Sequence, residues 1–92
     1  MQILKTQEIE LLRQNGAEFI DFILIPQTEN PRLFSVEFTV KNGNNIERAL
    51  LMSSRNKVRL FGDIQKAVIA LFEVFPEMEN IDSIKYQISV DK

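Results

Sequence analysis

The strictest constraint on the fold of this chain is an alternation of apolar and polar side chains over residues 33–41. The apolar positions are Phe34, Val36, Phe38 and Val40, and the polar positions between them are Ser35, Glu37, Thr39 and Lys41. Because successive side chains of a strand point to opposite faces, this segment predicts a strand with one face in the core and the other in solvent. Such a strand requires a sheet that is covered on one side.

Residues on both sides of this strand predict its partners. Residues 17–25 are rich in Ile and Phe, which favours a strand, and Pro26 ends it. Residues 42–45, Asn-Gly-Asn-Asn, predict a tight hairpin turn because Asn and Gly accept positive φ. Residues 46–53 should therefore pair back antiparallel.

Two further segments extend the predicted sheet. Residues 58–61 are expected to form a short fourth strand or to extend the third. Residues 83–90 alternate again, which predicts a last strand with Ile84, Tyr86, Ile88 and Val90 facing the core. This strand would pair parallel to residues 58–61 through a right-handed crossover, or add at an edge of the sheet.

Two helices are expected to cover the sheet. The first spans residues 6–15, with Thr6 as its N-cap and Gly16 as its stop. The second follows Asp63 as N-cap, carries apolar residues at helical spacing and ends before Pro76. The sequence therefore predicts one α+β domain over residues 1–92, a two-layer sandwich with a mostly antiparallel sheet of four or five strands and both helices on one face. The expected order is helix, three or four strands, helix, strand.

The 92-residue chain contains no histidine and no cysteine. This excludes thiol chemistry, imidazole or thiolate metal ligands and the usual general base near neutral pH. We therefore predict no catalytic residue, metal site or cofactor, and a non-enzymatic role. No apolar stretch approaches the roughly 18 residues that span a membrane, so no membrane association is expected. The short apolar start is not a signal peptide, and we expect a cytoplasmic protein.

The charge distribution is uneven although the formal net charge is only -2. Residues 41–66 hold six basic and two acidic side chains, whereas acidic side chains dominate the segments on either side. Arg55, Lys57 and Arg59 are spaced at i, i+2 and i+4, so in an extended chain all three would leave one face while Val58 and Leu60 turned to the core. Lys66 would extend this basic strip from the second helix.

The basic strip is the candidate binding surface. We expect it to contact an anionic partner, which is either an acidic protein surface or a nucleic-acid backbone. The competing interpretation is a solvated strand edge whose charges prevent aggregation.

A surplus of apolar residues indicates a second surface. Leu50 and Met52 on the third strand, and Phe72 and Val74 beside the main stripe of the second helix, are difficult to bury in a chain of this size. They are candidates for self-association into a homodimer. The alternative is that loops and the other helix cover them.

Residues 58–67 resemble a pattern in small plasmid-borne proteins of the ParC-type partition-associated family. In both, a basic strand that ends in Phe leads through a polar cap to an amphipathic helix containing alanine, and residues 15–21 are also similar. The similarity covers about residues 9–75, with Gly62-Asp63 in place of a Lys-Ser type cap. It implies an accessory or regulatory interaction in plasmid maintenance and carries over no catalytic residue.

The order helix, three strands, helix is also similar to that of double-stranded-RNA-binding domains. Those domains place a lysine cluster at the start of the second helix, where this chain has Lys66 alone. This similarity keeps a nucleic-acid-binding module as the alternative function.

Overall fold

A five-stranded sheet and two helices form the computed structural model, which describes residues 1–53, 55–78 and, as backbone, 84–86. The elements along the chain are β1 (Gln2–Leu4), α1 (Thr6–Gln14), β2 (Glu18–Pro26), β3 (Phe34–Asn42), β4 (Asn45–Leu51), α2 (Ile64–Val74) and β5 (Ile84–Tyr86). The spatial order of the strands is β1-β4-β3-β2-β5. The central pairs are antiparallel and the two edge pairs are parallel. Both helices cover one face, which confirms the predicted two-layer α+β fold.

The alternation of β3 places its apolar residues in the core as predicted. Val36 and Phe38 are fully buried, and Phe34 is half-buried at the start of the strand. The opposite face differs from the prediction of a wet surface, since Ser35 and Thr39 are also buried. The reason is the central position of β3, because longer side chains from β2 and β4 lie beside these small polar groups.

Four phenylalanines form the centre of the core. Phe19 and Phe22 come from β2, Phe38 from β3 and Phe75 from the end of α2, with ring centroids 4.7 to 6.2 Å apart in the contacting pairs. Tilted and edge-on ring pairs of this kind add to the free energy of burial, since ring edges meet ring faces. The cluster therefore fixes α2 on the sheet.

A β-bulge at Asp21 allows both β2 phenylalanines to enter this cluster. Ile20 pairs with Thr39 and Ile23 with Glu37, so β2 contains one residue more than β3 between these pairs. Asp21 takes φ 55°, the left-handed conformation that the first residue of some bulges adopts. Phe19 and Phe22, three positions apart, consequently face the same side, which strict alternation does not predict.

The N-terminal region differs from the sequence prediction in two ways. Residues 2–4 form an unpredicted strand, in which Ile3 pairs parallel with Leu50 of β4. The N-cap of α1 is Lys5 rather than Thr6, and the Glu8 carboxylate accepts the Lys5 backbone N–H at 2.8 Å. This carboxylate satisfies one backbone donor beside the helix start.

The segment before α2 is also corrected by the structure. Residues 58–61 form only two isolated bridges, Met52 to Val58 and Phe34 to Phe61, instead of a strand. Leu60 is 43% exposed, so its predicted place in the core is wrong, and Phe61 is buried there instead. The predicted helix cap is confirmed, because Asp63 Oδ1 accepts the N–H of residue 65 at 2.7 Å.

The last strand adds at an edge, which was one of the two predicted positions. β5 pairs parallel with β2, with Phe22 opposite Ile84. The orientations predicted for the side chains of residues 84–90 lie outside the described part of the chain.

The packing of Phe38 leads to a stability prediction. We expect Phe38→Ala to lower the free energy of unfolding by about 3–5 kcal/mol, because it removes the ring shared by three aromatic pairs. The control Leu60→Ala should change it by less than about 0.5 kcal/mol, as usual for a surface position. Urea denaturation measures both, and equal losses for the two variants would contradict this packing.

Candidate functional site

Residues 52–53 and 55–58 meet in a tight turn, where the sequence predicted an extended basic strip. The Ser53 N–H donates to the Lys57 carbonyl at 2.6 Å, and the Asn56 N–H donates to the Ser53 carbonyl at 3.1 Å. Asn56 takes φ 63° inside this turn. The chain therefore reverses between Ser53 and Lys57, and the predicted straight row of three cations does not form.

The cations of this segment have different surroundings. Arg55 and Lys57 are exposed on the turn, whereas Arg59 is half-buried. The Arg59 backbone N–H donates to the Leu51 carbonyl at 2.8 Å, and its guanidinium carbon lies 4.7 Å from the centre of the Phe61 ring. A cation over an aromatic face is attracted by the ring, so Arg59 is held in position, whereas the other two side chains form no ion pair with the described residues.

Arg59 lines a cleft together with the start of α1. The cleft has a volume of about 510 Å³ and is lined by Lys5, Thr6, Gln7, Met52, Ser53 and Arg59. The parallel pairing of β1 with β4 brings these two segments together, since the Met52 N–H donates to the Leu4 carbonyl at 2.8 Å. We name this site the α1 cleft.

The side chains of the α1 cleft favour a negatively charged group. Two cations, two hydroxyls and an amide line it, and no carboxylate does so among the described residues. The backbone N–H groups of the first turn of α1 carry partial positive charge beside it, although the Glu8 carboxylate already accepts the Lys5 N–H there. Within the described residues, Lys5 and Arg59 take part in no ion pair. The cleft can therefore offer charged donors to a carboxylate or phosphate.

Arg13 shows the opposite case, a cation that the fold has neutralised. Its guanidinium bonds Glu10, Glu77 and the Val74 carbonyl at 2.5 to 3.1 Å and lies 5.5 Å from the centre of the Phe19 ring. Burial opposes its charge, but hydrogen bonds and charge attraction from the two carboxylates outweigh burial and raise the pKa of Arg13 above its usual value. Arg13 joins α1 to the end of α2 and is a structural residue.

The structure separates the other candidate site residues. Lys66 is exposed in the first turn of α2 and is not among the residues that line the α1 cleft. Leu50 is half-buried on the sheet face away from the helices, and Met52 is half-buried at the cleft. Phe72 is half-buried against the core.

The burial of Val74 contradicts its predicted place at a self-association surface. It is only 8% exposed and belongs to the core cluster. The apolar surplus of α2 is therefore partly accounted for by the core, as the alternative interpretation expected.

Lys5, Thr6 and Gln7 are candidate site residues that the sequence prediction missed. They enter the site through the pairing of β1 with β4, two segments far apart in the sequence. A short apolar run at residues 3–4 was the only local sign of this pairing.

Neither metal ligands nor relatives assign a function to this site. Among the described residues, no group of three or more His, Cys, Asp or Glu side chains could hold a metal ion. In the same part of the chain, no helix combines the length and apolar character needed to cross a membrane. Comparison with protein-family models, curated proteins and solved structures finds no match.

The Arg13 contacts generate a second stability prediction. Arg13→Met keeps an apolar stem over Phe19 but removes the bonds to Glu77 and Val74. We expect a loss of about 1–3 kcal/mol, since a partly buried carbonyl and a carboxylate lose charged donors. Arg32→Met, at an exposed position, should change the unfolding free energy by less than about 0.5 kcal/mol. Thermal denaturation compares the two variants. Equal stability of Arg13→Met and Arg32→Met would show that Arg13 does not stabilise the packing of α1 against the end of α2.

Proposed function

We propose that the chain is a non-enzymatic interaction module that binds an acidic segment of a protein partner in the α1 cleft. The observation that carries this proposal is the pair of cations in one cleft, Lys5 from the start of α1 and Arg59 after the turn. In the described part of the chain, no carboxylate shares the cleft lining with them. A carboxylate of the partner would receive charge-assisted hydrogen bonds there.

The size of the cleft and the net charge of the whole chain favour a peptide over a nucleic-acid backbone as the ligand. Its volume of about 510 Å³ suits a few side chains of an inserted segment. A nucleic acid would be held by many phosphate contacts along a basic surface, whereas this chain has a net charge of -2 and acidic segments on both sides of its basic region. Nucleic-acid binding is kept as the competing outcome of the test.

A binding role without catalysis is supported by the chemistry of the lining. The described lining of the α1 cleft contains cations, hydroxyls, an amide and a thioether, but no carboxylate to act as a general base. The proposed place of this binding in plasmid maintenance rests on the resemblance of residues 58–67 to ParC-type partition-associated proteins.

The test compares two double variants with equal charge change. Lys5→Gln with Arg59→Gln removes both cleft cations, and Arg55→Gln with Lys57→Gln removes two cations from the adjacent turn. Poly-L-glutamate and a DNA duplex serve as probes. The binding of each is monitored by the amide chemical shifts of the protein over a salt series. We expect poly-L-glutamate to shift the amides of residues 5–7, 53 and 59.

The cleft double variant should weaken poly-L-glutamate binding at least about tenfold, because two charged donors are lost. The turn double variant should bind within about twofold of the unaltered chain, since exposed charges contribute little. Equal weakening in both would show diffuse attraction to the whole segment. Tight binding of the duplex without poly-L-glutamate binding would establish the nucleic-acid alternative instead.

A further inference from the structure

Within the described residues, the sheet face opposite the helices carries six apolar side chains, with Glu18 and Lys41 at one end, and neither helix covers it. Ile3 and Ile20 are each 39% exposed, and Ile46 is 67% exposed. Ile23, Ile25 and Leu50 are half-buried between them. Strand register places these residues on the side of Glu37 and Thr39, away from Phe38 and the core. We name this surface the open sheet face.

A fixed ion pair lies in the middle of the open sheet face. Arg48 Nε donates to Glu37 at 2.7 Å, and Nη1 donates to the Thr39 hydroxyl and, at 3.2 Å, to the Asp21 carbonyl. The carbonyl belongs to the bulged residue of β2. Three acceptors from two neighbouring strands thus hold the guanidinium in one place, unlike a surface arginine that moves freely in water.

This ion pair still has hydrogen-bonding capacity that the described residues do not use. Arg48 Nη2 and the second oxygen of Glu37 have no partner within the described residues. The Glu37 side chain is 18% exposed and the Arg48 side chain 36%. A donor and an acceptor that are fixed side by side are complementary to the same pair on a second copy rotated by a two-fold axis.

We propose that the open sheet face is the homodimer interface of this protein. In this dimer, Arg48 of each copy binds Glu37 of the other, and the surrounding isoleucines and Leu50 exclude water from the two ion pairs. Fixed arginines at the centre of an apolar surface are typical interaction hot spots. None of the residues named on the open sheet face lines the α1 cleft, so this inference does not rest on the proposed function.

The size of the face is adequate for a dimer. Three strands of seven to nine residues and two edge strands of three residues, with a spacing of about 4.8 Å and a rise of about 3.3 Å per residue, cover about 500 Å² per copy. Two copies would bury about 1,000 Å² in total, which reaches the lower size of specific interfaces.

The test uses charge reversal in two separate proteins. Glu37→Arg gives a copy with two central cations, and Arg48→Glu gives a copy with two central anions. Each variant alone should dimerise at least about tenfold more weakly than the unaltered chain, because like charges meet across the axis. An equimolar mixture should recover a dimer, since every contact across the axis then joins opposite charges. Sedimentation equilibrium from micromolar to millimolar concentrations measures all three samples.

A second pair of variants keeps the test independent of the folding of the charge-reversed copies. Ile20→Lys lies on the open sheet face, and Ile69→Lys lies on the outer side of α2 with 53% exposure. We expect the first to abolish dimerisation and the second to leave it unchanged. A monomer of the unaltered chain at millimolar concentration, dimerisation by Ile20→Lys, or loss of dimerisation in Ile69→Lys alone would overturn the proposal. Folded charge-reversed copies that stay monomeric when mixed would also overturn it.

Discussion

The pairing of β2 with β3 is the constraint on which the rest of the structure depends. These two strands are the centre of the sheet, and their inward residues supply three of the four phenylalanines that hold α2. The pairing contains one extra residue, Asp21, in left-handed conformation. On the inner side the bulge keeps Phe19 and Phe22 together. On the outer side it provides the carbonyl that holds Arg48.

The arginines of the chain illustrate how position decides the role of a charge. Arg13 is neutralised between two helices, and Arg48 is fixed on the sheet by three acceptors. Arg59 is held by an aromatic ring without a described anionic partner. This last arrangement keeps the charge of Arg59 available for an external anion, and the proposed function of the α1 cleft rests on it. The three side chains are chemically identical and differ in what the fold places beside them.

Local sequence patterns correctly predicted the elements whose conformation depends mainly on residues close by in the sequence. The alternation in β3 gave the correct strand and the correct core face, the Asn-Gly turn gave the hairpin to β4, and Asp63 gave the start of α2. In the hairpin turn, Gly43 has φ 65°, a conformation that glycine accepts without strain.

Features that depend on distant parts of the chain could not be predicted in this way. The strand at residues 2–4 has no pattern of its own and is stabilised by β4, so the α1 cleft was missed with it. The burial of Thr39 depends on the side chain of Arg48 on the neighbouring strand β4. The predicted extended conformation of residues 55–59 was wrong because Ser53 and Lys57 close a turn, and three alternating charges contain no sign of that turn.

The pairing of β2 with β3 is tested most directly by the free energy of unfolding of a chain from which Asp21 is deleted. Ile20, Phe22 and Ile23 would then pair with Thr39, Phe38 and Glu37 in regular alternation, which preserves the core face of β2. The deletion loses one hydrogen bond to Arg48, which costs about 1 kcal/mol, and relieves a left-handed residue that costs about 1–2 kcal/mol. We expect this chain to unfold cooperatively in urea at low protein concentration, with a free energy of unfolding within about 1 kcal/mol of that of the unaltered chain. An unfolded chain, or a loss above about 3 kcal/mol as for a disrupted core, would contradict it.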